Sequence, residues 1–174
     1  CPAFLLGKAL FVNEDAAMAT ARIHDIYIAT AGGEPMQSMP SATVEAGRGI
    51  SGDRYCTGKG AHSELLKRRD NDDWQITLIE REEIDRFLEA GDEDLGYGDF
   101  RRNIVTVGVR LNDLVDKRFT VDGVSMEGVR LCEPCAYLAG LVTDRLLPAM
   151  VGRSGLRARI LGSGDLTVGG AIEL

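Results

Sequence analysis

The stretch that decides the fold is Phe119-Thr120-Val121-Asp122-Gly123-Val124-Ser125-Met126-Glu127-Gly128-Val129-Arg130-Leu131, which runs into Cys132-Glu133-Pro134-Cys135. The dipeptide Asp122-Gly123 separates two runs rich in apolar residues, and this arrangement is a strong local signal for a β-hairpin. The second strand of the hairpin ends at a pair of cysteines. The sequence therefore predicts two antiparallel strands, the second of which places a cysteine motif at its end.

Short strands are predicted on both sides of this hairpin, bounded by glycine, proline and aspartate. They cover residues 22–29, 41–46, 74–79, 103–107, 156–161, 165–168 and 171–174. One amphipathic helix is predicted over residues 80–90, and residues 136–150 read as a helix interrupted by Gly140 and Pro148. So many short strands with few helices predict a mostly β fold, a largely antiparallel β-barrel decorated by helices.

The overall composition is that of a globular protein, with 174 residues, 44% hydrophobic residues and 27% charged residues. A net charge of −7 argues against nonspecific binding to nucleic acid. No apolar stretch has the length of a membrane-spanning helix, so we expect no membrane association. Four cysteines are too few for a disulfide scaffold, which predicts free thiols and a cytoplasmic location.

Basic residues are concentrated in a few segments of this acidic chain. Residues 151–160 contain three arginines and no acid, and residues 47–69 contain six basic residues against two acids. Such segregation is consistent with a local site for an anion, but the charge pattern alone favours solvated surface patches.

The cysteine pair Cys132 and Cys135 admits three interpretations. A structural zinc site needs four ligands, and the other candidates form no second spaced pair: Cys1, His24, Cys56 and His62. A thioredoxin-type redox pair normally opens a helix in an alternating βαβ fold, which this sequence does not predict. We favour the third interpretation, a single functional thiolate at Cys135 beside a buried Cys132, with Pro134 fixing the turn between them.

Two further segments are equipped to bind an anion. Arg101-Arg102-Asn103 precedes a predicted buried strand, and Gly52-Asp53-Arg54 ends a glycine-rich loop that lacks the spacing of a phosphate-binding Walker loop. Arginine binds phosphate in a bidentate manner, and asparagine both donates and accepts hydrogen bonds. The alternative is that Arg101 and Arg102 balance the acidic loop before them and that Asp53 caps a turn.

Taken in order, these segments resemble the MOSC domain, the C-terminal domain of molybdenum cofactor sulfurases. The resemblance spans residues 22–174 and leaves residues 1–21 as an N-terminal extension. It rests on five segments: Gly47-x-Gly49-Ile50-x-Gly52-Asp53-Arg54-Tyr55, Gln75-Ile76-Thr77-Leu78-Ile79-Glu80, Arg101-Arg102-Asn103-Ile104-Val105-Thr106-x-Gly108-Val109-x-Leu111-Asn112, Leu131-Cys132-Glu133-Pro134-Cys135, and Gly155-Leu156-Arg157-Ala158.

The resemblance implies a β-barrel of the pyruvate-kinase-barrel type and a role in molybdenum chemistry. In members that bind the molybdenum cofactor (molybdopterin), the cysteine matching Cys135 coordinates the metal. The resemblance implies that Arg101 and Asn103 lie at the cofactor site, and we expect Arg54, Arg101, Arg102 and Asn103 to hold the anionic end of the pterin. The expected activity is reduction of N-hydroxylated small molecules with electrons from an external donor, and an oligomer is compatible with it.

Two other roles are compatible with the same resemblance. One is a sulfur carrier that receives a persulfide on Cys135 from a pyridoxal-phosphate-dependent desulfurase. The other is a module that binds or delivers the cofactor without turnover. Two departures bear on the choice: residues 1–21 do not resemble the N-terminal domain of larger reductases, and residues 55–73 lack the histidine-rich pattern of some bacterial ones.

Overall fold

The computed structural model describes residues 20–61, 73–91 and 94–174. Cys1, His62 and most of the predicted N-terminal extension lie outside these residues. The described strands are β1 Arg22–Ile28, β2 Gln37–Met39, β3 Ser41–Glu45, β4 Gly49–Ile50, β5 Ile76–Glu80, β6 Ile104–Val107, β7 Arg118–Val121, β8 Val124–Leu131, β9 Leu156–Ile160, β10 Gly164–Thr167 and β11 Ile172–Glu173. The helices are α1 Arg81–Glu89, α2 Ala136–Leu141 and α3 Leu146–Ala149, with two 3-10 helices at Tyr97–Phe100 and Leu111–Leu114.

The main sheet has eight strands in the order β11-β7-β8-β9-β5-β6-β1-β2, and a smaller sheet has the order β10-β3-β4. Neighbouring strands are antiparallel except for the parallel pair β5 and β6. The predicted hairpin forms β7 and β8, and Asp122 and Gly123 occupy its turn with φ angles of 49° and 77°. Positive φ at both central residues is what a tight hairpin turn requires.

The main sheet curls until its β11 edge meets the start of β1. An isolated bridge joins Arg22 to Ala171, the amide of Ile23 donates to the Gly170 carbonyl at 2.9 Å, and the amide of Ile172 donates to the Ala21 carbonyl at 2.8 Å. These bonds connect β1 to the segment that enters β11. The prediction of a mostly β fold with a curled barrel-like sheet is therefore confirmed.

Two apolar cores lie on opposite sides of the central strands. Ile76, Leu78 and Ile104 pack inside the curl, whereas Ile79 and Val105 pack outside it against α1 and the chain around α2 and α3. Strands β5 and β6 are thus buried on both faces, which is why their sequences are nearly continuous apolar runs rather than alternating patterns. Because β5 and β6 are buried on both faces, the segments that enter and leave these strands are held in position.

The helices follow from local sequence signals. In α1, Ile84 and Phe87 are buried at helical spacing, and Glu82 and Glu83 lie in the first turn, where the helix dipole favours acids. The predicted interrupted helix over residues 136–150 forms the two short helices α2 and α3. Within residues 20–61, 73–91 and 94–174, no helix is long and apolar enough to cross a membrane.

Candidate functional site

A cavity of about 370 Å³ opens beside the end of β8. Its volume is within the range of small-molecule sites. The segments that line it include the turn after β4, the residues before β6, the end of β8, its connection to α2, the first turn of α2, and β9. Five arginines and a single acid, Glu133, are among its lining residues; the arginines are Arg54, Arg101, Arg102, Arg130 and Arg157. The described wall therefore favours an anionic ligand.

The two cysteines of the β8–α2 connection differ in exposure. Cys135 is exposed, immediately precedes α2 in an extended conformation, and its carbonyl accepts a hydrogen bond from the Ala139 amide at 2.9 Å. Cys132 is only 2% exposed, and its amide donates to the Gly155 carbonyl at 2.7 Å. Both residues line the cavity. The accessible Cys135 and the buried Cys132 fit the third interpretation of this pair, a single functional thiolate beside a buried cysteine. The role of Cys135 stays a prediction.

Arg54 and Arg101 form a connected pair at one wall. The buried Arg54 guanidinium donates to Asp53 Oδ1 at 3.0 Å and to the Arg101 carbonyl at 3.1 Å. Arg101 has a left-handed backbone conformation (φ 58°), which is uncommon for a residue with a side chain and is held here by the Arg54 hydrogen bond. Arg101 also donates to the Glu34 carbonyl at 2.7 Å. Burial, and then the charge of Arg54, lower the pKa of Arg101.

Arg102 is bonded to the protein on every side of its guanidinium. It donates to the Ser154 carbonyl at 2.8 Å, to Ser154 Oγ at 2.6 Å, to the Phe100 carbonyl at 3.2 Å and to the Cys132 carbonyl at 3.0 Å. The side chain is 6% exposed. Arg102 therefore joins the backbone at Cys132 to the segment before β9, and it contributes more to the shape of the wall than to ligand contacts.

Asn103 lies behind the wall and does not line the cavity. Its Oδ1 accepts from the Thr77 hydroxyl at 2.9 Å and from the Thr77 amide at 3.2 Å. Its Nδ2 donates to the Tyr27 carbonyl and to Asp53 Oδ1, both at 3.2 Å. Asn103 thus connects β5 to Asp53, the carboxylate that orients Arg54. Of the five predicted site residues, the structure brings Cys135, Arg54, Arg101 and Arg102 to one cavity.

Sequence reasoning missed Arg130, Arg157 and Asp73. Arg130 pairs with the fully buried Asp73 carboxylate, and Arg157 donates to the Asp73 carbonyl at 3.4 Å. Burial lowers the pKa of Arg157, but Cys132, Tyr55 and Asp73 raise it and prevail. The available signal was the arginine-rich, acid-free segment 151–160, together with the position of Arg130 two residues before Cys132.

Within the described ranges, no three histidine, cysteine, aspartate or glutamate side chains lie close enough together to bind a metal ion. Of the residues considered for zinc, Cys1 and His62 lie outside those ranges. The cavity wall in these ranges instead combines one exposed thiol with several arginines.

The structure thus combines a curled sheet, a cysteine motif at the end of a central hairpin, and arginines around it. The family model of the MOSC domain matches residues 66–173. The chain therefore belongs to the MOSC domain family. A search of curated proteins found no match.

Solved structures show the same fold. The YuaD protein from Bacillus subtilis is 18% identical with a TM-score of 0.70, and the alignment covers 88% of this chain and 94% of that one. YiiM from Geobacillus stearothermophilus is 15% identical with a TM-score of 0.66, covering 88% and 74%. YiiM from Escherichia coli is 14% identical with a TM-score of 0.57, covering 89% and 68%. At these identities the likeness concerns the fold alone.

Proposed function

We propose that this protein binds the molybdenum cofactor and reduces N-hydroxylated compounds, with Cys135 as the protein ligand of molybdenum. The observation that carries the proposal is an exposed thiol in the wall of an arginine-lined cavity, in a chain of the MOSC domain family. Thiolate is a soft ligand that suits a sulfur-rich metal centre. A metal that arrives with its cofactor needs a single ligand from the protein, and Cys135 supplies it.

The anionic end of the cofactor is assigned to Arg101, supported by Arg54. Arg101 donates to the Glu34 carbonyl, and a guanidinium has five N–H groups, so donors remain for a phosphate. Arg54 holds the Arg101 backbone, Arg102 holds the backbone of Cys132, and Asn103 holds Asp53. In this proposal Arg101 touches the ligand, while Arg54, Arg102 and Asn103 keep the wall in position.

When bound, the cofactor would supply a two-electron redox centre next to the Cys135 thiolate. The N–O bond of the hydroxylamine or hydroxyamidine breaks, two protons and two electrons are taken up, and the products are the reduced nitrogen compound and water. The electrons come from an external donor. The protein's own residues hold the cofactor through Cys135 and Arg101 and enclose the small molecule in the cavity. The cytoplasmic location and the oligomeric state stay predictions.

Metal analysis tests this proposal. Protein expressed in a host that makes the cofactor is expected to contain molybdenum, and Cys135→Ala is expected to lose at least nine-tenths of it. Cys56→Ala is the matched control, because Cys56 is a partly buried free cysteine that does not line the cavity. Equal molybdenum in the wild type and Cys135→Ala would contradict the assignment of the ligand.

The exposure of Cys135 also favours a second candidate, a sulfur carrier. The Cys135 thiolate would take the outer sulfur of a persulfide on a pyridoxal-phosphate-dependent desulfurase, which regains its thiol as Cys135 becomes a persulfide. Intact mass after incubation with a desulfurase and cysteine discriminates between the two functions. A gain of one sulfur that Cys135→Ala lacks, in protein free of molybdenum, supports the carrier. Bound cofactor without turnover of any N-hydroxylated compound would indicate a delivery module.

A further inference from the structure

Two arginines lie directly opposite each other on neighbouring strands at the cavity. The antiparallel register of β8 and β9 pairs Arg130 with Arg157. Like charges in directly opposed positions destabilise a sheet. The same two strands pair Glu127 with Arg159, with 3.9 Å between Glu127 Oε1 and an Arg159 nitrogen. Complementary charges therefore occur in this strand pair, and the like-charged pair occurs where the strands line the cavity.

A β-bulge produces the like-charged pair. The register runs from Gly128 to Arg130 on β8 while it moves only one residue on β9, from Ala158 to Arg157. Without the extra residue, Val129 would lie opposite Arg157 and Arg130 would lie opposite the core residue Leu156. Bulges redirect side chains and are frequent beside active sites.

The bulge is held in place by its backbone. The Gly128 amide donates to the Lys117 carbonyl at 3.0 Å, and the Gly128 carbonyl accepts from the Asp116 amide at 2.9 Å. A Cβ at Gly128 would lie 2.1 Å from the Leu114 carbonyl oxygen, so only glycine fits. The position of Arg130 opposite Arg157 is thus fixed by the fold rather than by a flexible loop.

One buried carboxylate partly compensates the pair. Asp73 is fully buried and forms its ion pair with Arg130 Nε, while Arg157 meets the Asp73 backbone carbonyl. Among the described residues, two guanidinium groups against this carboxylate leave an excess of positive charge. Arg130 and Arg157 both line the cavity that Cys135 lines, so the excess charge faces the same space as the thiol.

We propose that Arg130 and Arg157 bind the carboxylate or phosphate group of the substrate, apart from the Arg54–Arg101 wall that we assign to the cofactor. Guanidinium groups bind such anions in a bidentate manner. The substrate class is then N-hydroxylated compounds that carry an acidic group. That the bound anion belongs to the substrate rests on the proposed function. That Arg130 and Arg157 form an anion site rests only on the paired arginines.

The anion site is tested without the cofactor. Benzoate and inorganic phosphate are titrated into cofactor-free protein by calorimetry at constant ionic strength. We expect Arg157→Gln to weaken the binding of one or both anions at least tenfold. Arg159→Gln is the matched control on the same strand, because Arg159 pairs with Glu127 and does not line the cavity, and its affinities should equal those of the wild type. Equal affinities in the wild type and Arg157→Gln, or no binding by the wild type, overturn the site.

The assignment of the anion site to the substrate is tested on molybdenum-loaded protein. Two N-hydroxyamidines that differ by one carboxylate are compared. Arg157→Gln should raise the KM of the carboxylate-bearing compound at least tenfold more than that of the neutral one, with the molybdenum content retained. Loss of molybdenum in Arg157→Gln, or an unchanged ratio of the two KM values, overturns the assignment to substrate. If wild-type protein binds no molybdenum, the proposed function and the substrate assignment fail together, and the calorimetric titration still decides the anion site.

Discussion

Arg102 and Arg157 line the same cavity but differ in what their guanidinium groups contact. Arg102 donates four hydrogen bonds to the backbone and hydroxyl of neighbouring segments and is almost inaccessible. Arg157 has a second arginine opposite it, a long hydrogen bond to the Asp73 carbonyl at 3.4 Å, and a side-chain hydrogen bond with Tyr55. A charged residue in a cavity wall can therefore hold the wall together or leave its charge to a ligand, and the hydrogen bonds distinguish the two roles.

The largest expected effect is on stability, at Arg102. Glutamine has only two amide donors, so Arg102→Gln leaves at least two of the four buried acceptors unsatisfied. We expect a loss of about 2–4 kcal/mol in the free energy of unfolding. Arg157→Gln is expected to change it by less than about 1 kcal/mol, because relief of the like-charge pair offsets the lost contacts. Urea denaturation of both variants measures the difference, and equal losses would remove the distinction between the two arginines.

The next largest effect concerns the bulge that places Arg130 opposite Arg157. Gly128→Ala forces a methyl group against the Leu114 carbonyl and should cost about 1–3 kcal/mol in the free energy of unfolding. It should also weaken benzoate binding, because the register of Arg130 shifts.

Gly140→Ala in α2 is the control for this substitution, since no heavy atom of a described residue outside the local helix backbone lies within 4 Å of an added Cβ there. Alanine in a helix should leave its stability unchanged or raise it by up to about 1 kcal/mol. Wild-type stability in Gly128→Ala would show that the bulge tolerates a side chain.

A smaller effect is the response of stability to an anion. Replacing chloride by phosphate at constant ionic strength should stabilise the wild type by about 1.4 kcal/mol when phosphate is at ten times its Kd. Arg157→Gln should show less than half of this gain. The measurement is the unfolding free energy in the two buffers, and a full gain in the variant would assign phosphate binding to another part of the protein.

The smallest effect is expected at the complementary pair. Glu127→Gln removes the partner of Arg159, and the pair is partly exposed with 3.9 Å between its charged atoms. Such pairs contribute about 0–1 kcal/mol, so the loss should be below about 1 kcal/mol. Benzoate affinity should be unchanged. A large change in affinity would mean that the field of the whole strand pair, rather than Arg130 and Arg157, attracts the anion.

Local signals explain how much of this architecture the sequence predicts. The Asp122-Gly123 turn, the amphipathic α1 and the apolar runs of β5 and β6 depend on residues close together in the chain, and each forms as predicted. The mostly β class follows from them. The parallel pairing of β5 with β6 was not predicted, because it depends on the crossover between the two strands rather than on either sequence.

The site was predicted only in part, because local sequence signals identify some of its residues and long-range contacts determine the others. Cys135, Arg54, Arg101 and Arg102 stand out as residues of binding type in turns, and they line one cavity. Asn103 has the same residue chemistry, but its burial behind Asp53 depends on contacts with β1 and β5. The Arg130–Arg157 pair requires the register of two strands about thirty residues apart and a one-residue bulge, neither of which is encoded locally.

The hydrogen bonds between β1 and the segment that enters β11 have a consequence for how the domain joins other polypeptide. The chain enters the curled sheet and leaves it at adjacent points. A domain with adjacent entry and exit can be inserted into a surface loop of another protein, or circularly permuted with a short linker, at a small cost in loop entropy. The curled sheet that carries Cys135 is therefore suited to insertion or permutation at the point where β1 meets the segment before β11.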